Sequence, residues 1–240
     1  PKGSAAGIRN IKNSGRWIYI YMVTNGSLLT EEKAEELFDA GLDQLSISMN
    51  YLDSRLDEER KLDGLYEHIA ALAPRLTKEN RNVLFNSVIM EENLDQVPLI
   101  PLQAYEWGAK VSFSCYTDFK NGNGAHLIDN GKMPELENVV DRLIDLRSKY
   151  HNITNSEYYL RKIPGYFKNG GISGCKAGKA FIQLTPDGQV RACPDFAPEV
   201  HYSDFSGVDN RGCAKCWYAC RGETEGSLTP RRVMELIKWS

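Results

Sequence analysis

The sequence predicts an α/β protein: a partial barrel of parallel strands separated by helices, followed by a small cysteine-rich β-hairpin unit. Two observations carry this. Apolar, β-branched runs alternate with segments of helical period as far as Asp118, and strands that read as nearly unbroken apolar runs belong to parallel sheets covered on their faces. Five cysteines then gather in the last third, as Cys175-x12-Gly188-x4-Cys193 and Cys213-x2-Cys216-x3-Cys220. That density in so short a stretch points to a metal site.

The elements follow in order. Trp17 to Val23 is a dense apolar and aromatic run that predicts a buried strand, closed by a turn at Thr24-Asn25-Gly26. Thr30 caps a helix with Glu31 and Glu32 in its first turn, Ala34, Leu37 and Phe38 on one face, and Gly41 as its stop. Leu45 to Met49 is the next strand, and Leu65, Tyr66, Ile69 and Leu72 mark the next helix. Val83 to Met90 is a third strand, Asn93 to Trp107 a helix interrupted near its start by Pro98 and Pro101, and Lys110 to Tyr116 a fourth strand. After the loop Asn121-Gly-Asn-Gly124, the positions Leu136, Val139, Val140, Leu143 and Ile144 predict one more amphipathic helix, and His151 to Ser156 reads as a polar linker. Residues 1–150 are expected to form the first domain and residues 151–240 the second. In the second, Ala180 to Leu184 and Gln189 to Ala192 flank Thr185-Pro-Asp-Gly188, a turn in which Pro presets φ and Gly accepts a positive one. A last helix is expected from Thr229 and Pro230, burying Val233, Leu236 and Ile237.

Bulk numbers narrow the function classes. A chain of 240 residues can bury a large core without disulfides. At 42% hydrophobic and 25% charged it reads as an ordinary globular chain, and no apolar run is long enough to span a bilayer. The net charge of −3 provides no broad basic field to hold a nucleic-acid backbone.

The cysteine spacing has a geometric reading. Cys213 and Cys216 share one tight turn, and Cys175 and Cys193 flank the hairpin, so four sulfurs can converge on one centre. Such a set binds a structural zinc or an iron–sulfur cluster, and spacing does not separate the two. A disulfide framework is disfavoured, because the chain is too long to need stapling and the cluster holds an odd number of thiols. Cys220 is a fifth candidate ligand. Cys115, isolated in a strand, reads as a core residue. Trp217 and Tyr218 read as packing residues or as a wall against solvent, and Arg221 and Glu223 as reaching the site or forming an exposed pair. His68, His126, His151 and His201 are scattered and read as surface residues.

Ligands in parallel α/β sheets bind at the carboxyl ends of the strands. Here those ends carry Thr24 and Asn25, Ser48 and Asn50, Asn86, and Tyr116 to Asp118. They suit a polar ligand, and equally suit plain turn and strand-end duties.

With these residues in view, the chain resembles the radical S-adenosylmethionine (SAM) enzymes that carry a C-terminal SPASM or shortened "twitch" auxiliary-cluster domain. The likeness rests on Thr24-Asn25-Gly26, the helix ending Ala40-Gly41-Leu42-Asp43, Leu45-Ser-Ile-Ser48, Arg60-x3-Gly64 and Cys-x12-Gly-x4-Cys. The chain departs from the family at Asn50 and Tyr51, where Asp-Gly is usual, and in Cys-x2-Cys-x3-Cys, which replaces a longer closing pattern. The family's Cys-x3-Cys-x2-Cys loop and Gly-Gly-Glu-Pro motif do not occur. The spacing from Pro1 to Thr24 fits Pro1 as the Pro of that motif, so the first strand, cluster loop and second strand are expected upstream of this chain.

The resemblance implies a TIM-like partial (β/α)6 barrel in a cytoplasmic enzyme that modifies a peptide or small molecule through a 5′-deoxyadenosyl radical. It implies Ser48 and Arg60 as binders of the SAM carboxylate, with Thr24, Asn25 and Asn86 lining the same cavity. It also implies an auxiliary [4Fe–4S] cluster on Cys175, Cys193, Cys213 and Cys216, with Cys220 in reserve. The complete enzyme would hold a second [4Fe–4S] cluster and take electrons from a donor such as flavodoxin or ferredoxin. The other class of function is a non-catalytic four-cysteine module, binding zinc or iron–sulfur, for partner recognition or electron transfer.

Overall fold

Leu45, Ile47, Val83, Phe85 and Ile89 lose nearly all contact with solvent on one face of two neighbouring strands, and Ser46 and Leu84 are buried on the other. That two-sided burial is what a parallel sheet clad by helices demands. The computed structural model describes residues 3–197, 200–208, 212–226 and 229–230.

Along the chain run α1 (Ser4–Lys12), β1 (Tyr21–Thr24), α2 (Glu31–Asp39), β2 (Gln44–Ser48), α3 (Arg55–Arg60), α4 (Leu65–Lys78), β3 (Val83–Ile89), α5 (Ile100–Glu106) and β4 (Lys110–Cys115). There follow α6 (Met133–Tyr150), α7 (Glu157–Arg161), α8 (Ile163–Asn169), β5 (Gln183–Leu184), β6 (Gln189–Arg191), β7 (Val200–His201) and α9 (Ala219–Glu225). The first four strands form one sheet in the order β1-β2-β3-β4. β1 lies parallel to β2 with Thr24 opposite Ile47, and β2 parallel to β3 with Ser48 opposite Asn86. The α/β class and the parallel strands expected from the sequence are therefore present. The remaining three strands make a small antiparallel sheet, β5-β6-β7.

Backbone contacts divide the chain into two units. The first comprises Pro1–Ile89, Asn93–Phe113 and Asp145–Thr154, and the second Met90–Glu92, Ser114–Ile144 and Asn155–Ser240. In the first, α2 starts where expected: Thr30 Oγ1 accepts the Lys33 N–H at 3.3 Å, and Ala34 and Phe38 face inward. α4 buries Leu65, Ile69, Leu72, Ala73 and Leu76. Among the described residues no helix is long and apolar enough to cross a membrane.

Several expectations are corrected. The run from Trp17 does not make a buried strand: only Tyr21–Thr24 pairs, at the sheet edge, and Trp17 is 94% and Tyr21 57% exposed. An apolar run on an edge strand lacks the second neighbour that would cover it. α1 and α3 were not foreseen, because each is short and largely charged or polar. The helix expected from Asn93 begins at Ile100, with Pro101 in its first turn, where a missing N–H does no harm. His151 to Ser156 is not a solvated linker. Ile153 bridges Val111 in parallel, the Val111 N–H donates to the Asn152 carbonyl at 2.7 Å, and Asn152 Nδ2 donates to the Pro101 carbonyl. Its polarity is spent on buried hydrogen bonds, which composition does not reveal. α7, α8 and β7 were also missed. The helix expected from Thr229 lies, beyond Pro230, outside the described residues.

Candidate metal centre and strand-end site

The second unit builds its cysteine region from a turn upward. Thr185 and Gly188 close the hairpin with a 2.9 Å backbone bond, and Gly188 takes φ +82°. The hairpin and its third strand pack on Ala177, Val190, Ala192 and Val208, and both Cys175 and Cys193 lie against that cluster. Gly171 answers a close approach: a Cβ there would sit 2.3 Å from the Ala214 carbonyl oxygen. The gap lets the Ile172 N–H donate to that same carbonyl at 2.9 Å, which laces the segment before Cys175 to the Cys213–Cys216 turn.

The same turn is tied from the other side to the end of β4. The Cys115 N–H donates to the Trp217 carbonyl, the Ala219 N–H to Ser114 Oγ, and Thr117 Oγ1 to the Lys215 carbonyl. Trp217 is fully buried, lies flat against Tyr159 with ring centroids 5.3 Å apart, and donates its indole N–H to the Tyr159 carbonyl. It is a core residue. Cys115 is fully buried too, and burial raises its thiol pKa.

Four sulfurs share one local feature. The Ala177 N–H donates to Cys175 Sγ at 3.5 Å, and the Lys215 N–H to Cys213 Sγ at 3.5 Å. Backbone N–H groups of Asp195 and Phe196 act on Cys193, and that of Tyr218 on Cys216. At Cys175 and Cys213 a donor two residues on points at the sulfur, and at Cys193 and Cys216, where burial raises the thiol pKa, the N–H at that position lowers it, so all four have a donor that favours the thiolate. Cys220, in the first turn of α9, instead meets its own N–H and that of Arg221. Electrostatic coupling links Cys175 with Cys193, Cys216 and Cys220. Burial pushes the Cys216 thiol up to about 12, with Tyr218 and Arg221 pulling the other way, so a metal binding there must displace a proton. Burial likewise raises Cys193 and Cys220. Among the described residues, no three His, Cys, Asp or Glu side chains are drawn together around one metal ion. The donor chemistry nevertheless fits iron–sulfur or zinc, both of which take thiolates.

Arg221 and Glu223 do not form an exposed pair. Arg221 is 1% exposed and pairs with Glu225 at 2.7 Å, whereas Glu223 accepts from the N–H and hydroxyl of Ser156. The i,i+4 spacing of Arg221 and Glu225 was the missed signal, legible once residues 219–225 are read as helix.

In the first unit, Ser48 at the carboxyl end of β2 stands beside Asn86, which lies in the middle of β3 and not at its end, and both are half-buried. Thr24 and Asn25 are occupied by the turn: Thr24 Oγ1 accepts the Gly26 N–H, and Asn25 Oδ1 accepts the Ser27 N–H and hydroxyl. Asn50 is buried, accepts the Val88 N–H at 2.8 Å and donates to Glu59 Oε1 at 2.7 Å. Glu59 in turn lies 3.5 Å from Arg60 Nε, which is buried with no hydrogen-bond partner. Glu59 was not anticipated; it puts a carboxylate beside the position where Asn50 carries none.

Comparison with known proteins follows this geometry. Residues 4–100 match the radical SAM superfamily. The chain is 24% identical over 191 residues to an AdoMet-dependent heme synthase of Methanosarcina barkeri, covering 72% of this chain and 54% of that protein. It is 24% identical over 205 residues to a PqqA peptide cyclase of Methylobacterium nodulans, covering 83% and 52% respectively. The chain thus spans about half the length of the curated relatives it matches. Its backbone resembles that of Streptococcus suis SuiB, solved with its precursor peptide SuiA, at a TM-score of 0.59 and 14% identity over 84% of this chain and 48% of that one. SuiB has also been solved bound to S-adenosylmethionine, and that structure matches with a TM-score of 0.55, 16% identity and coverage of 79% of this chain and 44% of that one. Residues 4–100 are therefore similar to the radical SAM superfamily, and the backbone shares its fold with SuiB.

Proposed function

We propose that this chain is part of a radical SAM enzyme that modifies a peptide or small molecule, and that its second unit holds an auxiliary [4Fe–4S] cluster. The observation that carries the cluster is the N–H···S contact at Cys175 and at Cys213, made in both by the residue two positions on, with the N–H at the same position favouring the thiolate at Cys193 and Cys216. Cys220, with a different local pattern, is the fifth thiol and stands outside the preferred set. When bound, such a cluster supplies one-electron chemistry. The chain's own part is to aim backbone donors at the sulfurs, bury Cys216 behind Trp217, and hold the two halves of the set together through Ile172 and Ala214.

The superfamily match over residues 4–100 supports S-adenosylmethionine and a second [4Fe–4S] cluster as cofactors of the complete protein; SuiB was solved bound to S-adenosylmethionine, and the M. barkeri synthase is named as dependent on it. In this chain Ser48, Asn86 and Arg60 are the residues proposed to meet it. Ser48 and Asn86 offer a neighbouring hydroxyl and amide, and the guanidinium of Arg60 retains bonding capacity for a carboxylate. Thr24 and Asn25 shape the turn beside them. The peptide class of substrate follows from the PqqA cyclase and SuiB, and an electron donor of the flavodoxin or ferredoxin kind belongs to the same proposal. Residues 1–150 as the barrel part and 151–240 as the auxiliary part remain the proposed division of labour.

The test is anaerobic purification with metal and sulfide analysis. A brown protein with iron and acid-labile sulfide in equal amounts is expected. A colourless protein with zinc would replace this reading with the four-cysteine binding module, and a protein with neither would remove both.

A further inference from the structure

Arg221 is a buried cation with three acceptors drawn from three places. Its Nε donates to Glu225 Oε1 at 2.7 Å, its Nη2 to the Ile172 carbonyl and its Nη1 to the Cys216 carbonyl. Cys216 Sγ lies 4.0 Å from the same Nη1, whose two N–H groups are not exhausted by one carbonyl. The guanidinium stacks over the Trp217 ring, 5.7 Å from its centroid, so its charge is held beside the sulfur and away from water. Interaction between charges at such a distance is strong where water is excluded. Glu225, 6% exposed at its side chain, opposes part of that charge.

We propose that Arg221 is the charge partner of the Cys216 sulfur: it stabilises added negative charge on whatever centre that thiolate holds, and Glu225 limits the effect. This rests on the cluster reading of the second unit and extends it to the ease with which the cluster is reduced. Arg221 does so while also fixing the Cys216 turn against Ile172, three residues before Cys175. A lysine at 221 would keep the charge but could not span the three acceptors with one planar fork.

The experiment uses the full chain, reconstituted anaerobically with ferrous iron and sulfide, with iron and sulfide counted before any titration. Dithionite and redox mediators then hold each sample at the wild-type midpoint, and the reduced fraction is read by electron paramagnetic resonance. In R221Q the ratio of reduced to oxidised cluster should fall about tenfold, equivalent to about 59 mV for a one-electron couple. In E225Q, which keeps Arg221 and removes its counter-charge, the ratio should rise. R221K should lie between R221Q and wild type. A purely structural role would lower occupancy in both neutral variants without moving the ratio in opposite directions. Unchanged ratios, or shifts of the same sign in R221Q and E225Q, overturn the proposal. If R221Q loses its iron, the R221K and E225Q pair decides by the same signs. Wild-type protein without iron and sulfide overturns the cluster reading itself, and this proposal with it, an outcome distinguishable because it appears before the titration.

Discussion

The two units hold themselves together by different means. The central strands of the first, β2 and β3, are sealed by Leu45, Ile47, Phe85 and Ile89, all fully buried, with α4 supplying a further apolar face. The small sheet of the second rests on Ala177, Val190, Ala192 and Val208, all four of them alanine or valine. A sheet of three strands, two of them only two residues long, gains little from such a core. The comparison separates the two sheets: the first is held by burial, whereas the small sheet of the second unit, with little core of its own, would draw on the proposed metal site and on the hydrogen bonds of Arg221.

That contrast can be broken from either side. The largest effect expected is from Cys193→Ala or Cys213→Ala. Each should abolish bound metal and strip hydrogen-exchange protection from residues 172–192, while residues 44–89 keep theirs, because metal binding in so small a unit is folding free energy. Cys115→Ala should leave metal content unchanged, and loss of metal there would break the assignment. Next comes Ile47→Ala, expected to cost about 3 kcal/mol in urea unfolding through the cavity it leaves, with metal content retained. If Ile47→Ala instead emptied the metal site, the two units would not be energetically distinct. Asn50→Ala is expected to cost about 2 kcal/mol, since it orphans the Val88 N–H and releases Glu59; a neutral result would mean that water or another donor replaces it. The smallest effect is Thr30→Ala, about 1 kcal/mol for the lost bond to Lys33, visible as a small fall in the denaturation midpoint of the first unit.

The sequence announced what depends on local chemistry. The helix from Thr30 was legible because cap, acidic first turn and apolar face agree; the hairpin at Thr185 to Gly188 was legible because Pro and Gly fix its φ angles. The two-sided burial of β2 and β3 showed in their unbroken apolar runs. What failed depends on neighbours distant in sequence. Trp17 to Val23 has the composition of a central strand, and only sheet order reveals that β1 is an edge. Asn152 is polar yet buried because Pro101, fifty-one positions away, offers a carbonyl. In the candidate site, the packing of Cys175 and Cys193 on one small apolar cluster follows from the hairpin turn. The Asn50–Glu59 bond and the burial of Arg221 follow from loops folding back, and no spacing rule signals them.

Trp217 gives the second unit an optical signature. Its indole is sealed from solvent and stacked on Tyr159, next to a cysteine proposed to carry a metal, while Trp17 stands almost fully in water. Emission from Trp217 should lie to the blue of that from Trp17. Trp17, Trp107 and Trp239 emit as well, so the Trp217 contribution is the difference from Trp217→Phe, and an iron–sulfur chromophore beside Trp217 would absorb in the same region and darken it. That difference spectrum, recorded before and after the iron is removed, would thus show the colour of the site from inside the protein, and a colourless ion such as zinc would leave the Trp217 emission lit.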